Sequence, residues 1–174
     1  MSIAGDFLSE FEVQAPITRK YLERVPADKL AWRPHPKSLT AGQLALHIAL
    51  VPAGILRLVH DNPAKAPGEF RFPHPASREE ILSAFDESLR VVRGVLPGLS
   101  DGEMQEIWRL KFGDRTAVEQ PRADFLRDVM FSHLYQHRGQ LSVYLRILDV
   151  PVPASWGPSA DEAPNFTPRE ALVA

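Results

Sequence analysis

His133 and His137 stand four residues apart in FLRDVMFSHLYQHRGQLSVYLRIL, a stretch whose apolar spacing predicts a long helix. A spacing of four puts two side chains on one helix face, one turn apart. Two imidazoles placed this way can bind one metal ion. Otherwise they are two polar rings set where a bundle core should be. Steps of four and three trace a seam through Leu126, Met130, His133, His137, Gln140, Tyr144 and Ile147. Its ends are core-like and its middle is polar. A buried polar stretch costs stability unless it is paired or metal-bound.

A zinc-type catalytic site needs three protein ligands and one open position. The third ligand must come from another helix. His47 is the best candidate: in LTAGQLALHIALV it lies between Leu44 and Val51 and faces inward with them. It reads equally as a hydrogen-bonded core histidine, and both readings stand at this point. His35, between Pro34 and Pro36, and His74, between Pro73 and Pro75, read as loop residues. His60 ends a helix, where an imidazolium suits the dipole. Gln140 could hydrogen-bond a ligand histidine or a metal-bound water. Tyr144, one turn on, is a pocket candidate or a packed tyrosine with its hydroxyl bonded. Arg138 is expected to point away from the seam, into a surface or interface ion pair. Gly139 in mid-helix costs about 1 kcal/mol relative to alanine, which a close helix crossing would explain.

Four helices are predicted to position these groups, at about residues 3–24, 40–60, 78–96 and 122–148. Thr40 is the expected N-cap of the second, and Ser77 with Glu80 forms a capping-box pattern before the third. Pro16 and Pro52 should kink or interrupt their helices. Residues 31–39 and 61–77 are long proline-rich connections. EIWRLKFGDRTAVEQ, with its Gly-Asp pair, allows a small hairpin. The proline-dense tail, VPVPASWGPSADEAPNFTPREALVA, is expected to be irregular, docked through Trp156 and frayed at its end. The predicted fold is all-α, a four-helix bundle in one domain over residues 1–174.

The 174 residues carry 20 Lys and Arg against 22 Asp and Glu, a net charge of −2 with the signs mixed along the chain. No basic block points to nucleic acid or an anionic membrane. No run approaches the roughly 18 apolar residues of a membrane span, and the acidic N-terminus is unlike a signal peptide. There is no cysteine, which excludes disulfides, thiolate ligands and a cysteine nucleophile. That fits the cytoplasm, and any thiol chemistry would need a thiol from outside.

LAWRPHPKSLTAGQLALHIA, HLYQHRGQLSVYLRILDVPVP and SWGPSADE together resemble the DinB-like superfamily, metal-binding four-helix bundles that include thiol-dependent S-transferases and maleylpyruvate isomerases. The likeness spans most of the chain. It implies that His47, His133 and His137 bind one divalent metal with an open coordination position, commonly in a homodimer. Gln136 stands where many relatives have a further histidine, and Trp156 where a tyrosine is frequent. All-imidazole ligation suits zinc, nickel, copper or iron. The expected function is a metal-dependent enzyme of thiol S-transferase type acting on small electrophiles, with Gln140 and Tyr144 steering the bound group. The partners are then a small-molecule substrate, a low-molecular-weight thiol and a second copy of the chain. The alternatives are a metal-dependent hydrolase and a non-catalytic protein that binds metal or a small ligand.

Overall fold

A computed structural model describes residues 2–163. Helix α1 runs over Ile3–Glu23, α2 over Ala41–Leu58 and α3 over Arg78–Val95. A short α4 comes next at Asp101–Gln105, then strands β2 (Ile107–Phe112) and β3 (Arg115–Pro121), preceded in the chain by β1 (Ala64–Lys65). The last helical stretch is α5 (Arg122–Leu126), a π-helical turn (Arg127–Ser132) and α6 (His133–Ile147).

The caps match those expected from the residue types. Ser2 accepts from the Gly5 N–H to start α1. Thr40 and Gln43 form a complete capping box on α2. At α3, Ser77 accepts from the Glu80 N–H, but Glu80 reaches back to the Ala76 N–H rather than to Ser77. Pro16 and Pro52 lie inside unbroken helices. Each removes one ladder bond. Packing outweighs the loss: Ala15 and Pro52 are both buried, and Ser88 of α3 donates to the Ala49 carbonyl in the turn of Pro52.

Helix α2 is the centre of the molecule, packed against α3 on one side and α6 on another. By length and composition alone Ala41–Leu58 would pass for a membrane span, contrary to the sequence reading, yet most of it is buried inside this fold. Its Gly42 is required by close approach. A Cβ there would sit 3.0 Å from the Leu30 carbonyl oxygen and 3.0 Å from Pro75 Cγ. One apolar cluster joins Phe7, Phe11 and Leu22 of α1 to Leu44 and Ile48 of α2, Phe85 of α3 and Leu141 of α6.

The all-α expectation needs correction. The chain is mostly helical, but it carries a three-stranded sheet in the order β1-β2-β3. β2 and β3 are the antiparallel hairpin anticipated around the Gly-Asp pair, with Gly113 at φ +57° in its turn. β1 adds two residues in parallel, Ala64 opposite Leu110 and Lys65 opposite Lys111. The sheet survives because one face is anchored. Trp108 is fully buried, tilted against Phe125 with centroids 4.2 Å apart, and donates its Nε1–H to the Asp61 carbonyl at 2.8 Å.

The tail to residue 163 is irregular, as expected, but Trp156 is not its anchor, being 53% exposed. Asp161 accepts from the Val152 N–H and from Arg146, and Glu162 accepts from Arg24. Charge pairing with α1 and α6 holds the segment. The expected fraying concerns residues 164–174, which lie outside the described residues.

Candidate metal centre

His47 comes from the second turn of α2, one turn beyond Gln43 of its capping box. His133 opens α6 directly after the π-helical turn, and His137 lies one turn further. A π-turn widens the helix and changes the register of the residues beyond it. Met130 and Phe131, neighbours in sequence, are both buried there. Past the turn the core face runs Leu134, Arg138, Leu141, Leu145. The seam drawn from sequence is thus displaced by one residue: His133 and His137 sit about 100° round the helix from the core face and turn toward α2. Ile147, placed at the seam's end, is 54% exposed.

The three imidazoles meet. His133 Nε2 lies 2.9 Å from His47 Nε2 and 2.9 Å from His137 Nε2. Among the described residues this is the group of three that could hold a metal ion, with one nitrogen from each ring and all within 4.8 Å of one another. Donors about 2.0–2.1 Å from a common ion lie roughly 2.9–3.4 Å apart for angles near 90–110°, so the two 2.9 Å separations about His133 fit. All three rings are half-buried, which leaves the cluster accessible from solvent.

The donors also fit chemically, because they cannot satisfy one another. A ring nitrogen offers either one proton or one in-plane lone pair. His133 Nε2 faces two partners and can serve only one. Gln140 Oε1 lies 2.7 Å from His137 Nδ1. An amide oxygen only accepts, so the His137 proton sits on Nδ1 and the Nε2 lone pair faces the cluster. A cation among the three would be shared by every lone pair. Burial holds the His47 pKa down to about 4, with the rings of His137 and His133 adding to the effect. Burial, then His137, lowers His133 as well. Both are neutral at pH 7, the form a metal ligand needs.

The surroundings were only partly foreseen. Gln140 is exposed and holds His137 in orientation. Tyr144 donates to the Leu39 carbonyl at 3.2 Å and meets Trp32 edge-on. Arg138 is a clear correction. It is buried, 6% exposed, and its Nη1 donates to Gln14 Oε1 at 2.8 Å and Thr18 Oγ1 at 3.2 Å. Desolvation pulls its pKa below the usual guanidinium range. The polar pair Gln14 and Thr18, four apart on the buried side of α1, was the signal that could have revealed it. Gly139 meets nothing within 4 Å where a Cβ would be, so among the described residues no close helix crossing explains it. His35, His60 and His74 are exposed and lie outside the cluster. Phe72 was missed altogether: its loop brings it edge-on to His47, centroids 5.2 Å apart.

Known proteins share this arrangement of chain. An uncharacterized protein of Bacillus subtilis (strain 168), YrdA, is 27% identical over 161 residues, 92% of either chain. The crystal structure of a DinB-like protein from Bacillus cereus ATCC 10987 superposes with a TM-score of 0.63 at 25% identity, over 84% of this chain and 91% of that one. Residues 10–141, which include all three clustered histidines, match the model of the DinB superfamily, and the chain belongs to that family.

Proposed function

We propose that His47, His133 and His137 bind one divalent transition metal, zinc or nickel before iron, and that the centre serves a thiol-dependent transferase acting on small electrophiles in the cytoplasm. The observation that carries this reading is the convergence of three Nε2 atoms, 2.9 Å apart across His133, in a cluster reached from solvent. A bound cation supplies Lewis acidity, which lets a coordinated thiol or water lose its proton near neutral pH. Neutral His47 and His133 leave the cation's charge uncompensated, which favours an anionic ligand such as a thiolate. Gln140 keeps the His137 proton on Nδ1 and so keeps Nε2 available. Tyr144, tied to Leu39, braces the chain ahead of α2 and steers the bound group only if that bond is exchanged. A thiol must come from outside, since the chain has no cysteine.

A homodimer belongs to the same reading. Val143 and Ile147 of α6 and Leu50 of α2 are 56%, 54% and 43% exposed, and among the described residues nothing lies within 4 Å of a Cβ at Gly139 or Gly54, one turn before Val143 and one turn after Leu50. Glycines without a steric need in their own helices suit close approach by a second copy. Light scattering should give twice the chain mass, and Val143→Glu should reduce it to one.

The deciding experiment is elemental analysis of untagged protein, then turnover of electrophiles and esters with and without added thiols. One metal per chain is expected, lost in His133→Ala and His137→Ala. Gln140→Ala should weaken turnover without emptying the site. Full occupancy in the histidine variants would sink the reading. Turnover that ignores thiol would replace the transferase with a hydrolase, and no turnover at all would leave a binding protein.

A further inference from the structure

We infer that Phe72 and Phe70, with Phe112 of β2, form an apolar wall beside the histidine cluster that takes the aromatic or planar apolar body of the molecule bound there. This rests on the reading of the cluster as a metal centre for a small-molecule substrate. Phe72 meets the His47 ring edge-on, with centroids 5.2 Å apart and planes at 70°. Phe70, two residues before it on the same loop, pairs with Phe112, with centroids 6.4 Å apart.

The loop that carries Phe70 and Phe72 is fastened at both ends. Gln43 Nε2 donates to the Phe72 carbonyl at 2.7 Å. The same Gln43 caps α2 and lies one turn before His47, so one side chain ties the loop to the element that carries the histidine. At the other end β1 pairs with β2, and the Ala66 N–H donates to the Lys111 carbonyl at 2.8 Å. Phe72 is therefore held next to the cluster, and all three rings stay in water: Phe70 is 64%, Phe112 39% and Phe72 37% exposed. A single exposed phenylalanine is ordinary, but one held against a polar centre, with two more exposed and paired on the adjoining loop and strand, marks a contact surface. Charge on the loop is cancelled locally, because Arg71 pairs with Glu69 at 3.0 Å. The wall thus favours a neutral ring over an ion. A donor atom at the centre and a ring on the wall define the class: small molecules with a metal-binding head and an unsaturated or aromatic body.

The test uses the full chain loaded with cobalt(II), whose visible absorption reports both metal uptake and ligand binding. Imidazole and 4-phenylimidazole are titrated in turn. The phenyl compound should bind about tenfold or more tightly, since it adds a ring that the wall can cover. Phe72→Ala should cut that advantage to about threefold or less, and Phe70→Ala should reduce it, with cobalt content unchanged in both. Phe70 is exposed enough that its variant keeps the test alive if Phe72→Ala loosens the loop. Equal binding of the two probes by the unmodified protein, or an advantage that persists in both variants, overturns the wall and leaves the metal centre standing. Failure to take up cobalt overturns the metal reading and the wall with it.

Discussion

Acidification of the metal-free protein should expose the state of His47 directly. Its folded pKa is about 4 against an ordinary 6.5, chiefly through burial. Proton counts give the sign. Above pH 6.5 the ring is neutral in both states and contributes no pH dependence. Between 6.5 and about 4 the unfolded chain takes up a proton that the folded chain refuses, so stability falls as pH falls. At pH 4 the full linkage from that shift is about 3 kcal/mol. His47 is only half-buried, and solvent screening brings a realistic loss to roughly 1.5–2 kcal/mol. His133 adds to it in the same direction. For a chain of this size that is a fall of roughly 3–8 °C in melting temperature. The assay is urea unfolding at pH 7, 5.5 and 4.5 in chelator, comparing the unmodified chain with His47→Gln. Differencing the two removes the carboxylates common to both. The unmodified protein should lose the extra stability, and the variant should not. Parallel pH curves would refute the idea that the ring is held neutral by its burial. Restored metal should raise the melting temperature at pH 7 by mass action, roughly 5–10 °C at a hundredfold excess over the dissociation constant.

Other perturbations test the frame that positions the site. Arg138→Ala should cost about 3 kcal/mol or more by leaving Gln14 and Thr18 without their donor and opening a cavity, whereas Arg138→Met, which refills the space but orphans the same two groups, should cost about 1–3 kcal/mol; urea melts decide, and a neutral Arg138→Met would contradict the account. Trp108→Ala should cost about 3–5 kcal/mol and loosen β2 and β3, read as faster amide exchange in Ile107–Phe112 than in α2. Gly42→Ala should cost about 1–3 kcal/mol, because its Cβ meets the Leu30 backbone at 3.0 Å; a neutral melt would show that the connection simply moves aside.

The histidines and the frame were legible in the sequence to different degrees. His133 and His137 could be paired because one helical turn is a fixed length, and Thr40 before an apolar stripe sufficed to place α2 and so His47. The small sheet was only half legible. Trp108 and Leu110 alternate inward along β2, which marks the hairpin, but β1 has just two residues and gains its partner only through the fold. The Phe72 contact and its Gln43 tether join positions 29 residues apart across a proline-rich connection, and no periodicity reports such a link.

Arg138 shows where periodicity misleads. A stripe counted in steps of three and four assumes one uniform helix, and from Met130 it leads naturally to His133. The π-helical turn breaks that assumption just ahead of the site. It lets Met130 and Phe131 both face inward, and the core face then resumes at Leu134 and continues through Arg138. The displacement by one residue matters in two ways. It moves the two imidazoles of α6 off the core, where unsatisfied rings would be costly, to the edge that faces α2 and solvent. It also places the guanidinium of Arg138 against α1, where Gln14 and Thr18 hold it. The irregular turn and the buried arginine are thus parts of one solution: the turn rotates the histidine pair toward His47, and Arg138 bonds the same helix to α1 one residue beyond His137.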